Sequence, residues 1–221
     1  HMTPRIEYPF PTGELRERNL GDFEMPEQLT YHPDVVYDSF TGTDGNPHDL
    51  RIDVIEPDRP VSTRRPAVVW VHGGGWHNGS HKDNHALKFA LAGFVAASVE
   101  YRLSAVAPFP AMLNDCKSAI RFLRSRAKRF GIDPDRIGAA GGSAGAHLVS
   151  LLATTGSDPR LEGDGPYGKE SSRLQAAVVC NLPCDFHRLQ EWHRALGTYV
   201  GHRLKLCLGI DDPRKAMRYA Q

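Results

Sequence analysis

Ile137-Gly138-Ala139-Ala140-Gly141-Gly142-Ser143-Ala144-Gly145-Ala146-His147-Leu148 carries a short apolar run into a helix-forming stretch through a cluster of small residues. Gly141 to Gly145 fits the pattern G-x-S-x-G, with Ser143 at its centre. A serine held on a sharp strand-to-helix turn needs neighbours without bulky side chains, so that strand and helix pack closely while the hydroxyl stands clear. Gly141 and Gly145 are expected to do this structural work, and Ser143 to face a cleft as a nucleophile. The same residues also suit a glycine-rich turn that only permits close packing or cradles an anion. On the motif alone both readings stand.

Outward from this turn, strands and helices alternate. Pro66-Ala67-Val68-Val69-Trp70-Val71 is a continuous apolar run ending in glycines, as expected of a strand covered on both faces in a parallel sheet, and Phe94 to Val99 and Ala176 to Cys180 look alike. Met112, Cys116, Ala119, Ile120, Leu123, Ala127 and Phe130 share one helical face, with Gly131 as the C-cap. Asp133 to Arg136 reads as a turn into the short strand Ile137–Ala140, and Ala144 to Ala153 as a helix. Upstream, Val35-Val36-Tyr37 and Leu50 to Ile55 read as half-exposed strands of an antiparallel hairpin around Thr41–Pro47. The expected fold class is α/β: a mostly parallel, doubly wound sheet with an antiparallel N-terminal lead-in. Residues 1–30, with Pro4, Pro9, Pro11 and Pro26, read as an extended arm carrying a tag remnant, His1-Met2, and residues 31–221 as one domain.

The second chemical signal is His72-Gly73-Gly74-Gly75-Trp76, directly after the buried strand. Such a loop exposes successive backbone N–H groups. With the N–H of the residue after the nucleophile, they would bind the oxyanion that develops on a substrate carbonyl, which selects Gly74, Gly75 and Ala144. A phosphate-binding glycine loop is the competing reading, but the run from His72 to Gly79 fits neither G-x-G-x-x-G nor G-x-x-x-x-G-K-[ST].

These two motifs fall in one order with Glu100-Tyr101-Arg102-Leu103-Ser104, Pro108-Phe109-Pro110-Ala111, Asp115 to Arg121, and Gly131 to Ile137. In that order the chain resembles α/β-hydrolase esterases related to the hormone-sensitive-lipase group, closest to the feruloyl and acetyl esterase-like branch that acts on carbohydrate esters. The resemblance covers about residues 30–220. It implies Ser143 as nucleophile, Gly74, Gly75 and Ala144 as oxyanion donors, and His72 with Gly73 as structural residues of the glycine loop. Kynurenine formamidases resemble the run Ser143 to Leu148 too, which keeps an amidase reading open.

In this fold the triad continues from Ser to Asp or Glu and then His. After Leu182 the sequence has room for one more strand–helix unit of roughly 30 residues, so the acid and base are expected to be missing and the fold to be cut short at its C-terminal side. A rival alignment takes Leu204 to Gly209 as a strand and Asp211 or Asp212 as the acid, but no histidine follows. His147 lies on the nucleophile's own helix, and His187, His193 and His202 fall in a cap region by resemblance. His77, His81 and His85 recur every four residues, but no acidic or cysteine partner completes a ligand set, so no metal and no cofactor is expected. Trp76, Tyr101, Phe109, Trp192 and Asp185 are candidates for lining a substrate pocket.

Composition bounds the rest. A net charge of +1 gives no field for nucleic acid, and Arg121, Arg124, Arg126, Lys128 and Arg129 read as a solvated helix face. No apolar run approaches the roughly 18 residues of a membrane span. Cys116, Cys180, Cys184 and Cys207 form no disulfide or zinc pattern and are expected as free, mostly buried thiols. The expected location is cytoplasmic, or secreted if a leader preceded His1. The expected partner is a small-molecule ester, with a homo-oligomer through an exposed sheet edge as the alternative for a fragment that binds without turnover.

Overall fold

The protein is described here from a computed structural model covering residues 28–58, 64–156, 158–186, 188–189, 191 and 207–208. The strands are β1 (Leu29–Thr41), β2 (Pro47–Pro57), β3 (Arg65–Val71), β4 (Val95–Val99), β5 (Ile132–Gly142) and β6 (Ala176–Cys180). The helices are α1 (His85–Leu91), α2 (Ala111–Ser125) and α3 (Ala144–Thr154), followed by a short 3-10 turn, Pro159–Leu161. No helix among the described residues is long and apolar enough to cross a membrane.

The six strands form one sheet in the order β1-β2-β4-β3-β5-β6. β1 with β2 and β2 with β4 are antiparallel, and the remaining pairs are parallel. The expected antiparallel lead-in and parallel sheet are both present. β1 begins at Leu29, just before the expected start of the domain. β2 departs from the expected half-exposed strand: Ile52, Asp53, Val54 and Ile55 are all buried, because layers cover both faces of the sheet there.

Helix α1 packs on one face, where Leu87, Ala90, Ile55, Trp70, Ala96 and Ala140 form a core cluster. The larger core joins α2 and α3 to the other face through Val69, Val71, Val99, Met112, Ile120 and Leu148. The expected apolar stripe of α2 is buried throughout, and Ala127 and Phe130 continue it. The helix nevertheless ends at Ser125; the turns that follow carry the chain to Gly131, where φ is +62°. Asp133 to Arg136 belong to β5 but swing out of its ladder, since β3 pairs first through Arg65 with Ile132 and next through Ala67 with Ile137. The turn expected there is thus an irregularity inside a longer strand.

The basic cluster corrects a sequence expectation. Arg121 is buried and pairs with Glu162 Oε2 at 2.8 Å, and Arg124 donates to the carbonyls of Pro134 and Arg173. Fully buried Lys117 donates to Thr155 O and to Glu162 at 2.7 and 2.6 Å. The segment after α3 folds back over α2 and supplies these acceptors, so only Arg126, Lys128 and Arg129 form an exposed face. Among the cysteines, Cys116 and Cys207 are buried and Cys180 and Cys184 exposed, all of them free thiols, which corrects the expectation of mostly buried ones.

Two connections fix where a ligand can sit. From β3 the chain runs through α1 to β4 on one side, and from β4 through α2 it returns past β3 to β5 on the other. The strand order therefore reverses at β3. In open α/β sheets ligands bind outside the carboxyl ends of the strands at such a reversal. The loops there are the one after Val71 and the one after Gly142, and they hold the two glycine-rich motifs.

Candidate active site

Ser143 stands between β5 and α3 with φ 54° and ψ −118°, a conformation non-glycine residues rarely adopt. It is exposed, and its N–H donates to Cys180 O at 2.9 Å, extending the β5–β6 ladder by one residue. The glycines around it are required by close approach. A Cβ on Gly141 would lie 2.6 Å from the backbone of Gly145, and one on Gly145 would lie 2.6 Å from His72 O and closer still to Val71 O. The first turn of α3 is therefore pressed onto the end of β3. Gly145→Ala is expected to cost about 1–3 kcal/mol by overpacking against backbone that cannot turn aside, measurable as a lowered urea midpoint.

The glycine loop meets this turn directly. A Cβ on Gly73 would come within 2.8 Å of Gly142 O and 3.5 Å of Ser143 Cβ. Gly74 and Gly75 follow with φ of +116° and +61°. The Gly74 carbonyl accepts from the N–H groups of His77 and Asn78, while the N–H groups of Gly74 and Gly75 donate to no other described residue. Ala144 is the first residue of α3, and an N–H at that position has no intrahelical partner. These three N–H groups have no acceptor among the described residues, and the loop that carries two of them meets Ser143 through Gly73.

His72 is buried beneath the loop. Its Nδ1–H donates to Gly73 O at 2.7 Å, and its ring stacks on Tyr101 with centroids 4.3 Å apart. The Tyr101 hydroxyl in turn donates to His72 O at 2.9 Å. Burial pushes the His72 pKa down, so the ring stays neutral. Tyr101 and Trp76, expected as pocket walls, are instead core residues with their polar ends engaged. Asp185 is exposed and accepts from the N–H of Arg188 at 3.0 Å. Phe109 is half-buried and packs against the larger core. Trp192, His187, His193, His202, Asp211 and Asp212 lie outside the described residues.

His147 is one turn into α3, and its Nδ1 accepts from the Trp76 indole N–H at 3.3 Å. Burial lowers its pKa from the ordinary histidine value of 6.5 to about 4. The unfolded chain would bind this proton near pH 6.5 and the folded chain only near pH 4, so stability is lost as pH falls through that window. The loss is at most about 3 kcal/mol. Urea unfolding at about pH 7 and about pH 4.5 should show it in the parent chain, and His147→Gln should flatten the difference.

The three regularly spaced histidines do not converge. His85 stacks on Trp70 at 4.5 Å, and His77 Nδ1 is buried without a hydrogen-bond partner among the described residues. His81 Nε2 instead reaches Asp34 Oδ1 at 3.1 Å and lies 3.7 Å from Asp53 Oδ1. Asp34, Asp53 and His81 are close enough to share a cation. The Lys82 ammonium already supplies that charge, 2.8 Å from Asp34 and 3.0 Å from Asp53. This clasp ties the far leg of the glycine loop to β1 and β2. Sequence reasoning missed it.

A serine on a strained strand-to-helix turn, set at the reversal of a mostly parallel sheet and flanked by a glycine loop from the adjacent strand, is the arrangement of the α/β-hydrolase fold. Residues 52–218 match the BD-FAE family, and the chain belongs to it. It is 35% identical over 138 residues to the probable carboxylic ester hydrolase LipM of Mycobacterium tuberculosis, covering 61% of this chain and 32% of that protein. A thermophilic esterase of Thermogutta terrifontis, solved with propionate bound, superimposes with a TM-score of 0.62 at 31% identity, covering 84% of this chain and 65% of that one. A truncated carbohydrate esterase from gut microbiota superimposes with a TM-score of 0.57 at 27% identity, over 67% of this chain and 55% of that one. The chain spans less than half the length of the first curated relatives it matches.

Proposed function

We propose that the chain carries the nucleophile and oxyanion-binding half of a serine ester hydrolase for short acyl esters, including acetyl or feruloyl esters of carbohydrate hydroxyls. The observation that carries this reading is the strained, exposed Ser143 set against a glycine loop whose Gly74 and Gly75 N–H groups donate to no other described residue. Ser143 Oγ attacks the ester carbonyl, and the oxyanion accepts from Gly74, Gly75 and Ala144. The alcohol departs, and water releases the acid from the acyl-enzyme. The relative solved with propionate supports a short acyl group, and the carbohydrate esterase supports a sugar as the alcohol.

The proton of Ser143 needs an acceptor. His147 does not serve, because its Nδ1 lone pair already accepts from Trp76 and burial lowers its pKa to about 4, which makes it a weak base. No other described imidazole or carboxylate bonds to the Ser143 hydroxyl. Hydrolysis of p-nitrophenyl acetate with a burst of one nitrophenolate per chain is the expected result. Turnover that does not fall as the acyl chain is lengthened to decanoate would count against the short-acyl reading.

One observation favours a second reading, a unit that binds a partner. Among the described residues β6 is an edge strand, with Val178 56% and Val179 41% exposed. An unpaired apolar edge templates pairing with another chain. A monomer by light scattering at every concentration tested would remove this reading without touching the first.

A further inference from the structure

We infer that Trp76 and His147 form a positioning pair that sets the distance between the two halves of the oxyanion site. This rests on reading Gly74, Gly75 and Ala144 as the oxyanion donors, and assigns what holds them in register. The donors come from different strands: the glycines follow β3, and Ala144 opens the helix after β5. Trp76 is the next residue after Gly75, and His147 stands one turn beyond Ser143, its N–H donating to Ser143 O at 3.1 Å. The bond from the Trp76 indole to His147 Nδ1 is thus a side-chain strut from one donor segment to the other.

The geometry around the strut is constrained on every side. Trp76 has a φ of +59°, a conformation that is costly for a bulky side chain and persists only where its surroundings hold it. Its ring meets His147 edge-on, with centroids 5.5 Å apart and planes at 88°. Phe186, from the segment after β6, closes on both rings at 5.8 and 5.0 Å. Ser104 N–H donates to the Trp76 carbonyl at 2.7 Å and pins the backbone.

An indole can only donate, so His147 Nδ1 is the acceptor and the neutral ring carries its proton on Nε2. Oxyanion donors act at about 2.7–3.1 Å from the developing charge, and a misplacement of about 1 Å can cost on the order of 100-fold in rate. The pair therefore acts on the chemistry through the glycines, without touching substrate.

The test uses the 221-residue chain. Long-range nitrogen–proton NMR of the imidazoles should show His147 protonated on Nε2, with Nδ1 unprotonated. Trp76→Phe keeps a ring and removes the donor; it should shift the amide resonances of Gly74, Gly75 and Ala144 and slow fluorophosphonate capture of Ser143 about 10- to 100-fold. His147→Phe should act alike, whereas His147→Gln, which keeps an acceptor, should restore most of the rate. An Nδ1-protonated His147, or unmoved Gly74, Gly75 and Ala144 amides in Trp76→Phe, would overturn the pairing. If Ser143 of the parent chain takes no label, the acyl-transfer reading fails, and the NMR results still decide whether the strut exists.

Discussion

Ser143→Ala is expected to abolish fluorophosphonate capture and the nitrophenolate burst. With a general base from outside the described residues serving Ser143, it should also lower p-nitrophenyl acetate hydrolysis at least about 10³-fold, the scale seen when the nucleophile of an intact serine hydrolase triad is removed. The thermal midpoint should stay within a few degrees of the parent, about 1 kcal/mol at most. The two effects separate because the hydroxyl is exposed and bonds to no other described residue, so its loss takes nothing from the fold. Unchanged hydrolysis in this variant would move the chemistry away from the turn after β5 altogether.

Asp53→Ala is expected to cost about 3–5 kcal/mol, as breaking a buried charged network does. Asp53 is fully buried and accepts from the Tyr31 hydroxyl at 2.7 Å, from Asp34 N–H at 2.8 Å and from Lys82 Nζ at 3.0 Å. Its removal leaves the Tyr31 hydroxyl and the Asp34 N–H without their acceptor, and Lys82 with Asp34 alone. Asp34 is exposed, where an ion pair contributes little. Chemical denaturation is the check, with a urea midpoint far below that of Asp53→Asn. A loss under about 1 kcal/mol would show that the clasp contributes little to holding the glycine loop against the sheet.

Much of this architecture was legible in the sequence because its strongest signals are local. The apolar runs of β3 and β4 and the stripe of α2 follow from burial on both faces and from helical period, whereas β6 forms where its apolar run predicts a strand but, among the described residues, is exposed along its whole length and not covered on both faces. The glycines at 73, 74, 141 and 145 mark close approaches that no other residue type tolerates. The clasp was not legible, because Asp53 sits in an alternating stretch that reads as a half-exposed strand, and only the layer covering β2 makes it a buried charge. The strut was missed for a related reason. Trp76 and His147 are 71 residues apart, and each taken singly reads as a pocket wall or a core histidine. Arg121 was misjudged in the same way, since its partner Glu162 arrives from a segment that periodicity does not place. Tertiary pairing of polar side chains leaves no periodic trace, whereas backbone crowding leaves glycines.

The central claim is that the turn after β5 and the loop after β3 form one acyl-transfer site with Ser143 as its nucleophile. Intact-mass measurement of the purified chain before and after a fluorophosphonate, followed by peptide mapping, tests it most directly. The account predicts a single adduct on Ser143 that is absent in Ser143→Ala; an unlabelled chain, or an adduct mapped to another residue, contradicts it.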